Sequence, residues 1–315
     1  MSALIEIDDC CKTYKVGAFG TTSLTAVRNV GFDVQAGEVV SLIGESGSGK
    51  STIGRMILRL SPVTSGKISF KGDDIAAFRG HRLREYYRHV QGVFQDPFSS
   101  YNPVYKADRV FKMIKDAYFP SIGGKEWSAK IGASLEAVSL DPTQVLHKFP
   151  HQLSGGQLQR LLVARALLLD IEFLVADEII SMLDASTRID VLNLLADLKS
   201  RGLGILFITH DLSLGNYISD RTVILRRGVI VEMGATEKVF GNPQHAYTRM
   251  LLASVPQLHR KWDDVEAELR SVSDQRQADA YARAAMALEE DAHDSVLEEV
   301  EPNHLVRRSV LSEVA

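Results

Sequence analysis

The chain has 315 residues, 45% hydrophobic and 24% charged, enough for one large domain or two ordinary ones with a substantial core. No run approaches the roughly 18 consecutive apolar residues of a spanning helix, and the segment MSALIEIDDCCKTYK lacks the apolar run and cleavage site of a signal peptide, so a cytoplasmic protein that does not itself cross a membrane is expected. A formal net charge of −4 argues against nucleic acid as principal partner, and the only cysteines, the adjacent Cys10 and Cys11, suit neither a disulfide framework nor a zinc or iron–sulfur site.

In chain order, short β-like runs at residues 4–7 and 30–34 suggest an antiparallel sheet near the start. Residues 38–43 (EVVSLI) form a compact apolar strand, followed at once by a Gly-rich turn and a helical pattern over 51–60 that Ser61-Pro62 breaks. The turn, Gly44-Glu45-Ser46-Gly47-Ser48-Gly49-Lys50-Ser51, fits G-x-x-x-x-G-K-[ST] in the strand–loop–helix setting that motif requires. Its glycines let backbone N–H groups converge on phosphate oxygens, and the helix after it, opening at Ser51-Thr52, points its positive end at the same place. Lys50 can reach the β and γ phosphates of a nucleotide, and the Ser51 hydroxyl is a ligand for Mg²⁺.

From residue 97 to about 165 the pattern is mostly helical, with Pro, Gly and Asn at the joints, as in an inserted subdomain. Near its end, Leu153-Ser154-Gly155-Gly156-Gln157 precedes a helical run over 158–169 that Ser154 is placed to cap, a second anion-binding helix end. Residues 173–176 (FLVA) and 205–209 (ILFIT) are apolar on both faces and separated by an amphipathic segment over 186–200, so a right-handed β-α-β crossover is expected. The first of these strands ends in Asp177-Glu178, at the strand tip where open α/β sheets bind ligands. Asp177 is the candidate to hold Mg²⁺ and Glu178 the candidate to polarise an attacking water. Residues 223–225 and 229–231 read as a closing hairpin, and the Ala-rich, acidic stretch over 261–301 as a solvated helical appendage.

The run LSGGQLQRLLVARALL, together with the phosphate loop and the strand ending in Asp-Glu, resembles the signature region of the ABC ATPase family, over roughly residues 4–256. That resemblance implies further roles. Tyr14 sits where the family stacks an aromatic ring on adenine; Gln95, in VFQDPFSSYNP, matches the Gln loop that links Mg²⁺ and the attacking water to the membrane domain; Asp184, in SMLD, matches the loop that crosses the dimer interface; and His210, ending ILFITHD, matches the switch histidine at the γ-phosphate. QDPFSSYNP and GNPQHAYTRMLLASVP resemble segments of the oligopeptide, dipeptide and nickel importer ATPases, and EVEPNHLV resembles that group's closing P-G-H-x-V.

Three departures stand beside the resemblance. Ile179 and Ile180 replace the Pro and Thr or Val that usually follow the Asp-Glu pair, which frees one φ angle and adds bulk beside Glu178. No cysteine follows Cys11, so the cysteine cluster of many such subunits is absent from the sequence, and Ala246 replaces the usual Pro of HPYT. The resemblance implies a RecA-like P-loop α/β core with an antiparallel β subdomain and a helical subdomain at about 96–165, filling residues 1–256, with 257–315 as an acidic helical extension. It further implies an ATP- and Mg²⁺-dependent ATPase at the cytoplasmic face of the inner membrane. There it works with a second, related ATPase chain, two membrane-spanning permease subunits and a solute-binding protein, importing oligopeptides or dipeptides. Import of oligosaccharides or nickel, or a soluble ABC ATPase acting on nucleic acid or ribosomes, are the alternatives. Phe98 and Tyr101 are expected either to offer aromatic surface to a membrane subunit or to anchor the helical subdomain.

Overall fold

The structure is a computed structural model that describes residues 3–16, 22–181, 183, 185–254 and 295–309. The Asp184 expected at a dimer interface, and the helix expected over most of 257–294, lie outside these residues. Two sheets organise the chain. The smaller is antiparallel, in the order β2 (Thr22–Val34), β1 (Ile5–Val16), β4 (Ser65–Phe70), β5 (Asp73–Asp74), and includes both runs read near the start. The larger has eight strands, in the order β11 (Ser295–Glu301), β12 (His304–Ser309), β10 (Val229–Ala235), β9 (Arg221–Arg226), β3 (Val39–Ile43), β8 (Gly204–Thr209), β7 (Phe173–Asp177), β6 (Val90–Val93).

From β9 to β6 the large sheet is parallel, and its strands are apolar on both sides because both faces are covered. Val40, Leu42, Phe173, Val175, Leu206 and Ile208 point to one face, where they pack with Ile53, Met56 and Ile57 of α1 (Lys50–Ile57) and with the antiparallel sheet beyond. Leu174, Ala176, Ile205 and Phe207 point to the other, against α6 (Gly155–Leu167) and α7 (Ala185–Ser200). The alternation along each strand thus divides its residues between two cores. Gly54 lets α1 lie close on the sheet, since a Cβ there would come within 3.0 Å of Ile208 and Val175 side chains.

Between β6 and β7 the chain forms α3 (Arg109–Tyr118), α4 (Gly124–Ala137), the short α5 (Pro142–Val145) and α6, around Phe111, Trp127, Leu135, Leu158 and Leu161. Earlier, α2 (Gly80–His89) leads into β6; later, α8 (Leu212–Ile218) separates β8 from β9. The expected crossover is present as β7–α7–β8 with parallel pairing, and the expected closing hairpin as β9–β10.

The C-terminal stretch corrects one expectation. Residues 295–309, read within an acidic helical appendage, form a β-hairpin whose second strand pairs with β10 and extends the main sheet. The physical reason is edge pairing: β10 presents unpaired backbone groups, and β12 satisfies them at Glu232, Met233 and Gly234. After β10 come α9 (Thr236–Gly241) and α10 (Ala246–Ala253).

Candidate active site

The phosphate loop leaves β3 and enters α1 through Gly49, whose φ of 106° is open to glycine and strained for any side chain. Gly44 is needed for a different reason. A Cβ there would lie 2.1 Å from the Leu225 carbonyl oxygen of β9. The loop is tied from outside as well, by the Gly228 N–H donating to the Ser48 carbonyl at 2.8 Å, and from within by the Ser48 N–H donating to the Glu45 carbonyl at 3.2 Å. Lys50 is 4% exposed and folds back over the loop, its ammonium donating to the carbonyls of Gly44 and Glu45 at 2.7 and 2.8 Å. Burial pushes its pKa down, against the pull of the Glu178, Asp177 and Glu45 carboxylates. The Ser48 hydroxyl is buried without a hydrogen-bond partner, and nothing lies within 4 Å of where a Cβ on Gly47 would be. A cradle with a half-satisfied buried ammonium, an orphan hydroxyl and open space over a glycine fits a phosphate group.

The parallel register brings the acids to the same end of the sheet. Asp177 ends β7 opposite Ile208 of β8, and its carboxylate accepts a hydrogen bond from the Ser51 hydroxyl at 3.1 Å. It is 6% exposed, and burial pushes its pKa up while Ser51 opposes the shift. Ser51 and Asp177 form an all-oxygen pair of the kind a hard divalent cation accepts. Among the described residues no group of three or more His, Cys, Asp or Glu could hold a metal ion. Glu178 follows with φ of 51°, in the left-handed region, while its N–H still donates to the Ile208 carbonyl at 2.9 Å. Its carboxylate lies 3.3 Å from Nδ1 of His210, just beyond the end of β8. The bulk of Ile179 and Ile180 does not enter this space: both are buried in the core formed with α6 and α7.

Gln95 lies two residues past β6, as Glu178 lies two past Ala176, the partner of Val93; it is exposed on the same edge of the sheet. Ser154 caps α6 as expected, and Gln157 closes a reciprocal box: the Gln157 N–H donates to Ser154 Oγ at 3.2 Å and the Ser154 N–H to Gln157 Oε1 at 2.9 Å. The S-x-x-Q spacing in the sequence carries that signal. A Cβ on Gly156 would meet Thr187 Cγ2 at 2.8 Å, so this glycine serves the packing of α6 on α7, whereas Gly155 has open space around it. Tyr14 is half-buried on β1, its hydroxyl 3.5 Å from Ser61 Oγ and within reach of Thr52, with the Lys12 ammonium 4.9 Å from the ring centre. The two aromatic residues after Gln95 part company. Phe98 is 47% exposed, but Tyr101 is buried beside the Arg165 guanidinium, and burial pushes its pKa up.

Sequence reasoning missed Gly228 and Tyr247 as parts of the phosphate loop's frame. The Tyr247 hydroxyl of α10 accepts the Glu45 N–H at 3.2 Å across 202 residues of sequence. The motif containing Tyr247 was visible; its reach was not.

Comparison with known proteins supplies the rest. The ABC transporter family matches residues 27–181, and the family described as the oligopeptide/dipeptide transporter C-terminal region matches 231–281. The chain is 37% identical over 286 residues to the oligopeptide transport ATP-binding protein OppF of Streptococcus mutans, covering 86% of this chain and 92% of that one. It is 41% identical over 256 residues to the dipeptide transport ATP-binding protein DppF of Lactococcus lactis, covering 80% and 81%. Among solved structures, the dimeric post-hydrolysis state of an ATP-binding cassette bound to ADP and Pi aligns with a TM-score of 0.66 at 28% identity, over 74% of this chain and 98% of that one.

Proposed function

The chain belongs to the ABC transporter family as an ATPase subunit that energises peptide import, and from that premise we propose how its residues divide the work. The observation that carries the proposal is the gathering of the phosphate loop, the acids and His210 at one end of β3, β7 and β8, with Ser51 donating to Asp177 and Glu178 3.3 Å from His210. Lys50, freed from the Gly44 and Glu45 carbonyls, neutralises the β and γ phosphates of ATP. Ser51, Asp177 and Gln95 would hold Mg²⁺, which would supply positive charge against the phosphoryl oxygens. Glu178 orients the attacking water and accepts its proton, and His210, already at its carboxylate, reaches the γ-phosphate. Residues 44–52 cradle the phosphates and Tyr14 stacks on adenine. Residues 154–157, with an exposed capped helix end, face a nucleotide held by a second ATPase subunit. Catalysis is mostly positioning plus neutralisation of phosphoryl charge.

Two substitutions test this division. Lys50→Ala abolishes ATP binding, because the ammonium acts on the bound ground state. Glu178→Gln keeps binding and accumulates an ATP-bound dimer, because the carboxylate acts on the water. Hydrolysis at the parental rate by the Glu178→Gln protein in the assembled complex sinks the assignment.

The subunit works peripherally at the cytoplasmic face of the inner membrane, with two permease subunits and a solute-binding protein. Among the described residues no helix is long and apolar enough to cross a membrane. Its ATPase partner is a different, related chain. Subunit stoichiometry of the purified transporter checks this, and two copies of this chain with no second ATPase reject it.

A further inference from the structure

The C-terminal hairpin and the phosphate loop are joined by a line of hydrogen bonds that the reaction above does not use. It begins at His304 on β12, which is fully buried, each ring nitrogen facing a carboxylate oxygen: Nε2 lies 2.7 Å from Glu232 Oε1 and Nδ1 2.9 Å from Glu301 Oε1. Glu232, on β10, is also fully buried, and its two oxygens accept the N–H groups of Gln244 and His245 at 2.8 and 3.0 Å. These residues form the entry to α10. His245 Nδ1 in turn accepts the Tyr247 N–H at 3.1 Å, which requires an unprotonated nitrogen; burial first, then nearby Arg226, Arg249 and Arg307, depress the His245 pKa to about 4. The Tyr247 ring lies under the Arg226 guanidinium, 5.0 Å from its centre, and its hydroxyl accepts the Glu45 N–H.

Glu45 is therefore held from both sides. Its carbonyl accepts the Lys50 ammonium and its N–H donates to Tyr247. The hairpin is fixed at its own end by the Ala235 N–H donating to the Asn303 carbonyl at 3.1 Å, the Lys238 ammonium donating to the Pro302 carbonyl at 2.6 Å, and Gly234, where a Cβ would lie 2.4 Å from the Asn303 oxygen.

We propose that Tyr247 is a positioning residue for ATP, setting the Glu45 peptide and with it the phosphate loop, and that the C-terminal hairpin fixes Tyr247 through His304 and Glu232. The inference rests on residues 44–51 being the phosphate site. The hairpin thereby adjusts the affinity of a nucleotide site it does not touch. Since the contact belongs to the loop before and during reaction alike, losing it weakens ground state and transition state equally, raising KM more than it lowers kcat.

The experiment measures ATP hydrolysis by the full chain in its assembled transporter, with melting temperature recorded for each variant. Tyr247→Phe keeps the ring and removes only the hydroxyl. Its KM for ATP rises about 2- to 10-fold, the range of one hydrogen bond, with kcat falling less than twofold. His304→Ala raises KM by a similar factor, and the double variant by no more than the larger single effect, because both cut one line. Should His304→Ala not fold, Glu301→Gln on the exposed carboxylate takes its place, with a smaller rise in KM. A Tyr247→Phe protein with lowered melting temperature and parental KM overturns the positioning role. Multiplying factors in the double variant, or parental KM in Glu301→Gln where that stands in, overturn the role of the hairpin. Lys50→Ala separates the two readings: retained ATP binding there means that the phosphate site itself is misassigned.

Discussion

The middle of this sheet and its β6 margin are held by different means. β3, β7 and β8, which deliver the phosphate loop, the acids and His210, each have strands on both sides, and the loop is tied by backbone bonds to Gly228 and Glu45. β6, which delivers Gln95, is the last strand of the sheet, and its end and the residue after it are gripped by side chains from α6. The Arg165 guanidinium donates to the Gly92 carbonyl at 3.0 Å, and the Gln159 amide to the Phe94 carbonyl at 3.5 Å. Charge chemistry needs fixed groups, and a ladder of buried strands fixes them. The relay to another subunit proposed for Gln95 needs a part that shifts as a unit, and the helix that opens with LSGGQ holds the strand leading to Gln95 by two side chains.

The sharpest way to break this comparison is Arg165→Ala. The guanidinium is buried and, among the described residues, has no carboxylate partner, so truncation leaves a cavity and removes a donor from the Gly92 carbonyl, a loss of about 3 kcal/mol. Thermal unfolding measures that loss. The ratio of ATP hydrolysed to peptide imported should rise while KM for ATP moves little, and an equal rise in KM would show that the middle and the margin are not separate.

Asp177→Asn probes the middle of the sheet through pH. Burial raises the Asp177 pKa above its ordinary value of about 4. The stability contributed by its neutral form is therefore complete below about pH 4 and is lost as pH rises through the raised value. The nucleotide-free Asn variant should melt above the parent at pH 7, with the gap closing towards pH 4, while hydrolysis is lost. A pH-independent gap contradicts the assignment of cause.

Phe98→Ala carries the smallest structural effect. The ring is half exposed, so stability should change by less than about 0.5 kcal/mol, with ATP affinity retained and uptake reduced. Fully retained uptake removes Phe98 from the coupling surface. Tyr101, which sequence reasoning paired with it, belongs to the interior.

What could be read from the sequence was what is local. The glycines and Lys50 lie within eight residues, Asp177 and Glu178 close one apolar run, and Ser154 precedes its helix by one position. What escaped depends on distant partners. Residues 295–309 carry Glu298, Glu299 and Glu301 and look like a solvated helix until β10 is known to offer them an edge; Pro302-Asn303, a turn between two alternating runs, was the available hint. Tyr101 and Phe98 sit three residues apart in one loop, and nothing in their spacing separates the buried ring from the exposed one.

The pairing of β12 with β10 also has a consequence in time. Glu232 and His304 are separated by 72 residues, which a ribosome adding about 5–20 residues per second takes roughly 4–14 s to traverse. Through that interval β10 emerges with β9 to pair with but with its outer edge open, and buried Glu232 has yet to meet its histidine. A nascent chain in this state carries an unsatisfied strand edge of the kind chaperones shield, and arrival of the hairpin both closes that edge and completes the line to Glu45. Emergence of the hairpin and the final adjustment of the phosphate loop proposed above are thereby linked in time.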